Sequence, residues 1–289
     1  MGASMSLELP YFDDILEQLE RSSNPSYQKV FQRHVHWGYF SSPEKADPSD
    51  AGYVAAAEAM TEKLCVAGRV RDGARILDVG CGFGGTIAHI NERLAGCKLV
   101  GLNIDERQLV RARKLVQARH AHHASERNEI TFVQGDACAM PFGDAEFDVV
   151  LAVECIFHFP SRRSFFREAQ RVLRPGGTLA LSDFVVGVGK DEEMAAWMAQ
   201  NPNAQGGIFG STTAALVAGT YERLAASRGF RVLADEDITA QTMPTYPWWN
   251  RLYKEAGIPE GVKTIAFLEE MARRGFFDYR VLSFESTAH

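Results

Sequence analysis

The chain has 289 residues, with 31 Lys and Arg against 37 Asp and Glu, a formal net charge of −6. At about 150 residues per domain this is one large domain or two small ones, long enough to bury a core without disulfide or metal staples. The acidic balance speaks against nucleic acid as a partner, which calls for a basic face, and no apolar run approaches the ~18 residues of a membrane span.

In chain order, Phe12, Ile15, Leu16 and Leu19 recur at helical spacing over Tyr11 to Arg21, and Ser22-Ser-Asn-Pro25 ends that helix. Ser41 to Pro48 reads as a loop, and Ser49 or Asp50 caps a helix running to about Ala67. From Ala74 the pattern alternates. Strands are expected at Arg75–Val79, Lys98–Leu102, Glu129–Val133, Phe147–Val153 and Thr178–Phe184, with helices at Thr86–Leu94, Glu106–His120 and Arg162–Leu173 between them. Such alternation implies parallel pairing through right-handed crossovers, hence an α/β doubly wound, Rossmann-like sheet. Val185 to Ala218 has no strand signal. A sixth strand is expected at Phe230–Leu233, helix over Pro244–Arg274, and a closing strand at Asp278–Phe284, which makes seven strands and leaves the last one's direction open. The expected organisation is an N-terminal helical lid segment over 1–70 and a core over 71–289, with lid insertions at about 186–218 and 243–275.

The first strand runs into Leu77-Asp-Val-Gly-Cys-Gly-Phe-Gly-Gly-Thr86. Glycines let the backbone turn tightly and let a ligand approach closely, and the following helix offers unpaired N–H groups to an anion. Gly80, Gly82 and Gly85 also satisfy the dinucleotide pattern G-x-G-x-x-G, so the loop alone leaves a nicotinamide oxidoreductase open. Two residues point elsewhere. Asp78 precedes the glycines, where a carboxylate repels a pyrophosphate and pairs with an ammonium, and the second strand ends in Asn103 rather than the acid that holds an NAD ribose.

The ordered series Asp78-Val-Gly-Cys-Gly-Phe-Gly, Gly101-Leu-Asn-Ile-Asp105, Gly135-Asp-Ala137, Phe147-Asp-Val-Val150 and Leu173-Arg-Pro-Gly-Gly177 resembles the class I S-adenosylmethionine-dependent methyltransferases. The resemblance covers roughly residues 70–185 and, more weakly, the chain to the C-terminus. Val153 to Phe159 and Leu181-Ser-Asp-Phe184 look like its small-molecule, natural-product branch. It implies that S-adenosylmethionine is the cofactor, with Asp78 on its ammonium and Gly80 and Gly82 beneath it. Asn103 and Gln108 would reach the ribose, Ile104 would pack on the adenine, Asp136 and Ala137 would meet the adenine amine, and Glu154 would lie at the methyl-transfer end. The segment His34-Val-His-Trp-Gly-Tyr-Phe40 resembles the family's lid, with Tyr39 toward the methionine carboxylate and Trp37 excluding water.

An acceptor hydroxyl must lose its proton during transfer, so a base is expected beyond the fourth and fifth strands, where His158, Asp183 and Glu154 stand. Met194, Trp197, Met198, Ile208, Phe209, Met243, Tyr246, Trp248, Trp249, Phe276 and Phe277 suggest an apolar, aromatic acceptor wall, with Gly206, Gly207 and Gly210 as hinges. The expected reaction is O-methylation of a small hydrophobic or aromatic molecule. The alternative is C-methylation of an electron-rich ring or alkene, such as a prenyl diphosphate with Mg²⁺. No metal site is expected: His120, His122 and His123 lack an acidic or thiol partner at ligand spacing. Arg162 and Arg163 read as a solvated face. Five cysteines (Cys65, Cys81, Cys97, Cys138 and Cys155) form no CxxC pair and are expected as reduced, small hydrophobes. The N-terminus lacks the basic and apolar regions of a signal peptide, Met5 is a second candidate start, and a cytoplasmic protein, with a homodimer left open, is expected.

Overall fold

The computed structural model describes residues 10–21, 28, 30–120, 128–201, 216–217 and 219–287. Helix α1 (Pro10–Arg21) and helix α2 (Asp50–Ala67) precede the sheet. Ser49 caps α2, its hydroxyl accepting from Gly52 N–H at 3.1 Å. Strand β1 (Arg75–Val79), helix α3 (Gly85–Arg93), β2 (Lys98–Asn103), α4 (Glu106–His120), β3 (Glu129–Gln134), β4 (Phe147–Ala152), α5 (Arg162–Val172) and β5 (Leu173–Val186) follow in alternation. Helix α6 (Asp191–Gln200), the two-residue strand β6 (Leu216–Val217), α7 (Thr220–Ala226), β7 (Phe230–Asp237), α8 (Thr239–Thr242), α9 (Thr245–Glu255), α10 (Pro259–Arg273) and β8 (Phe277–Ser286) complete the chain.

The seven-stranded path runs β3-β2-β1-β4-β5-β8-β7, with β6 pairing β5 beside it. Strands β1 to β5 pair in parallel, and Asp78 lies opposite both Gly101 and Leu151. The chain leaves β1 toward β2 and returns to the other side at β4, so strand order reverses between β1 and β4. That reversal opens a crevice at their carboxyl ends, where open α/β sheets take ligands.

Three features differ from the sequence expectation. Strand β5 starts at Leu173 and absorbs the Arg174-Pro-Gly-Gly177 turn, with a register shift against β4 between Phe147 and Val149. Residues 185–218 contain α6 and the short β6, whose two residues are too brief for a periodic signal. The expected helix over 244–274 is two, broken at Gly257 (φ 69°) and restarted at Pro259.

Strand β8 is antiparallel to both β5 and β7. The cause is topological. Strand β7 ends on the same edge as β5, and α8 to α10 leave and return on that edge, so β8 must run backwards.

Buried aromatic side chains fill the space between the N-terminal segment and the α9–α10 pair. Trp248 stacks on Tyr53 with centroids 3.7 Å apart, and Trp37 contacts Phe184, Tyr246 and Trp249 at 5.9, 5.6 and 6.0 Å. Tyr246, Trp248, Trp249 and Phe276 are therefore core rather than an open acceptor wall. Met194, Trp197 and Met198 are half-buried and pack on Phe267, Met271 and Phe276. Gly206, Gly207, Ile208, Phe209 and Gly210, and the side chains of His120, His122 and His123, lie outside the described residues.

Candidate active site

Asp78 ends up almost wholly buried at the tip of β1. Among the described residues its Oδ2 has no hydrogen-bond partner, while the Thr86 side chain bonds the carboxyl. Burial pushes its pKa up to about 8, because a charge without a partner is costly in a dry environment. An ammonium delivered to this spot would complete the pair, so the residue fits an amino-acid-bearing cofactor.

The loop beyond it is shaped by two glycines. Gly80 has φ 67°, and a Cβ there would meet Cys155 Cβ at 2.7 Å. Gly82 has φ 52° with open space where its Cβ would be, Gln108 Oε1 at 3.9 Å being the nearest atom. The bare backbone at Gly82 is thus a cradle that a side chain would fill.

At the end of β2, Asn103 is buried and its amide serves the protein. Its Oδ1 accepts from Asp105 N–H at 3.0 Å, and its Nδ2 donates to Gln108 Oε1 at 3.1 Å. These bonds fix the loop that leaves Ile104 exposed. Beyond β3, Asp136 is exposed, its Oδ1 accepting from Cys138 N–H at 2.7 Å, and Ala137 is buried beside it.

Glu154 stands two residues past β4, half-buried, with φ 50°. A non-glycine residue holds that conformation only where its surroundings over-determine it. Here they do: Glu154 N–H donates to Ser182 Oγ at 3.0 Å, and Oε2 accepts from Trp37 N–H at 2.6 Å and from the Tyr279 hydroxyl at 2.7 Å. Burial pushes the Glu154 pKa up to about 8 against the lowering effect of those two donors, with Asp183 adding a repulsive push.

The N-terminal segment is clamped from its other side by a buried polar chain. His36 Nδ1–H donates to Trp37 O at 3.0 Å, His36 Nε2 meets His34 Nδ1 at 3.1 Å, and His34 Nε2 meets Glu58 Oε1 at 3.0 Å. Burial first, then the His34 charge, pull the His36 pKa down to about 3. Tyr39, expected at the methionine carboxylate, donates its N–H to Ala56 O at 2.9 Å and lies under Lys63 Nζ, 4.7 Å from the ring centroid. Lys63 in turn pairs with Glu236 of β7 at 2.8 Å.

His158 closes the short 3-10 turn Ile156–His158; it is buried, and its ring lies 4.4 Å from that of Phe157. Asp183 differs from its expectation. It is wholly buried, and its Oδ2 accepts from Arg162 Nη2 at 2.9 Å, Arg162 Nε at 3.1 Å and Tyr221 hydroxyl at 2.5 Å, while Oδ1 accepts from Phe184 N–H. A carboxylate so occupied is an ion-pair anchor, poorly disposed to take a proton from an acceptor. Arg162 is correspondingly buried rather than on a solvated face. Sequence reading also missed Tyr221, Ser182 and Tyr279; the one available signal was a Tyr in an apolar strand, whose hydroxyl needs a partner.

Among the described residues no group of three or more His, Cys, Asp or Glu side chains is disposed to hold a metal, and no helix is long and apolar enough to cross a membrane. Four cysteines are buried and Cys138 is half-buried, all as free thiols.

The family described as Methyltransferase domain matches residues 77–181. Methyltransferase GfsG of Streptomyces halstedii is 34% identical over 227 residues, covering 78% of this chain and 76% of that protein. Sterol 24-C-methyltransferase erg6 of Schizosaccharomyces pombe is 32% identical over 182 residues, covering 62% of this chain and 46% of the relative. The 27-O-demethylrifamycin SV methyltransferase of Amycolatopsis mediterranei is 34% identical over 178 residues, covering 61% and 56%. For these last two, the chain spans about half the relative's length. Among solved structures, the [4+2]-cyclase SpnF superposes with a TM-score of 0.73 at 20% identity, over 97% of this chain and 95% of that one, a likeness of fold. The chain belongs to the class I S-adenosylmethionine-dependent methyltransferases, acting on a small-molecule acceptor.

Proposed function

We propose that the protein O-methylates a small hydrophobic or aromatic, natural-product-like molecule, with Glu154 and His158 handling the acceptor's proton. S-adenosylmethionine supplies a methyl group already activated by its sulfonium charge. In this reading Asp78 pairs with the cofactor's ammonium, and Gly80 and Gly82 lie beneath it. Asn103 and Gln108 serve the ribose, Ile104 covers one adenine face, and Asp136 with Ala137 meets the adenine edge. Trp37 excludes water, and residues 1–70 act as a lid on the 71–289 core.

The observation that carries the reading is the half-buried Glu154 carboxyl beyond β4, which takes the Trp37 N–H and Tyr279 hydroxyl donors on Oε2, with His158 four residues on. A base must offer a lone pair at the acceptor, and this carboxyl does so while Asp183 does not. The relative named for a demethylrifamycin substrate supports oxygen as the methylated atom, whereas the sterol relative supports carbon.

A screen with methyl-labelled donor separates them. Phenols, sugars, amines and prenyl diphosphates are offered with and without Mg²⁺, and the product is analysed for O-bound or C-bound label. Label on a phenolic or alcoholic oxygen without added Mg²⁺ is expected. Label only on carbon, or transfer only to a diphosphate with Mg²⁺, overturns O-methylation.

A further inference from the structure

The polar atoms around Glu154 form a closed circuit whose direction can be worked out from hydrogen counting. The Glu154 backbone N–H donates to Ser182 Oγ at 3.0 Å. Tyr279 has one hydroxyl hydrogen and two oxygen neighbours, Glu154 Oε2 at 2.7 Å and Ser182 Oγ at 3.3 Å. The shorter contact, to a carboxylate, takes that hydrogen. Ser182 has already accepted from Glu154 N–H, so its own hydrogen serves the longer contact to Tyr279. The circuit therefore runs from the Glu154 amide through Ser182 and Tyr279 back to Glu154 Oε2, where the Trp37 N–H enters as a second donor at 2.6 Å.

We infer that Tyr279 is the positioning residue for Glu154: with Ser182 it commits Oε2 to the protein and leaves Oε1 as the oxygen presented to the methyl acceptor. An oxygen with two donors pointed at it cannot also bear a hydrogen, so the carboxyl's own proton, when present, sits on Oε1. The circuit also accounts for the left-handed φ of Glu154, since its amide must face Ser182 while its side chain returns to Tyr279. Burial holds the Tyr279 hydroxyl protonated well beyond its ordinary range, which keeps it a donor throughout the working pH range.

The inference deepens the reading of Glu154 as the acceptor-side carboxylate, and its test needs no acceptor. The protonated-carboxyl infrared band of the protein bound to S-adenosylhomocysteine is titrated with pH, and Glu154→Gln identifies the band by its loss. Tyr279→Phe removes a donor that favours the ionised form, so the midpoint is expected to rise by about one pH unit, a tenfold gain in proton affinity. Ser182→Ala keeps the tyrosine and is expected to give a smaller rise, and it serves as the second variant should Tyr279→Phe fail to fold. Loss of thermal stability with an unmoved midpoint in the variants that fold would make Tyr279 merely structural and overturn the inference. A moved midpoint supports it even if the acceptor screen shows no O-methylation, so the two failures are distinguishable.

Discussion

The Trp37 backbone N–H reaches Glu154 Oε2 at 2.6 Å across 117 residues of chain. This bond ties the N-terminal segment to the loop beyond β4, and His36 holds the next peptide group through Trp37 O at 3.0 Å. Trp37 is thus held at both its amide and its carbonyl, and the Glu154 carboxyl is aligned by a segment far from it in sequence.

Replacing Glu154 by Gln keeps the shape and an acceptor for those donors but removes the proton acceptor. With an identified hydroxyl acceptor, kcat should fall by about 10²-fold or more. The affinity for S-adenosylhomocysteine, measured by calorimetry, should stay within about threefold on the scale of a lost surface contact. A kcat within a factor of two of wild type would remove Glu154 from proton transfer.

Asp78 gives a pH dependence whose sign can be worked out. Its pKa is about 8 without a partner and about 3.9 in an unfolded chain, so between those values the folded state holds a proton the unfolded state lacks. Its contribution to the unliganded protein's stability therefore declines as pH rises from about 4 to 8. Pairing with an ammonium requires the ionised form, so S-adenosylhomocysteine should bind more tightly as pH rises from 6 to 8, with proton release at the lower pH. Calorimetry in buffers of different ionisation enthalpy reads this directly. Asp78→Asn should weaken binding at least about tenfold, as expected for a lost charge-assisted bond, while raising the unliganded Tm at pH 8.

The Arg162–Asp183 pair makes a prediction of the opposite kind. Both partners are buried, so removing one strands the other's charge, and Asp183→Asn should cost about 3–5 kcal/mol in urea unfolding. The folded fraction should retain S-adenosylhomocysteine binding. A folded, fully stable but inactive Asp183→Asn protein would restore Asp183 as a base.

His158→Ala should lower kcat by about 10²–10⁴ if its imidazole takes the proton, with Tm changed by only a few degrees. Rates with hydroxyl acceptors of increasing acidity discriminate further, since a lost base matters least for the most acidic acceptor. Equal losses across that series would assign His158 to positioning.

His36 should make acid unfolding steeper. Its folded pKa of about 3 lies below the unfolded value of about 6.5, so its stabilising contribution is present above 6.5 and is lost as pH falls toward 3. His36→Gln should flatten the stability profile between those limits, measured by urea midpoint.

Much of this protein was legible in its sequence because the signals are local. The alternation of apolar runs with helical periodicity sets the parallel order of β1 to β5. Asp78 and the glycines report a tight turn at a strand end, since only residues without a Cβ adopt those φ values cheaply. The Ser49 cap needs only its own neighbours.

What the tertiary structure alone decided lies in pairs far apart along the chain. Nothing near Asp183 discloses that Arg162 and Tyr221 occupy it, and nothing near Glu154 announces Tyr279, 125 residues away. Tyr39 fits a lid motif, yet only the folded chain brings Lys63 over its ring and Glu236 of β7 beside Lys63. A side chain's type states what chemistry it can do. Its protonation and availability depend on which buried groups share its surroundings, and that is settled only when distant strands pack together.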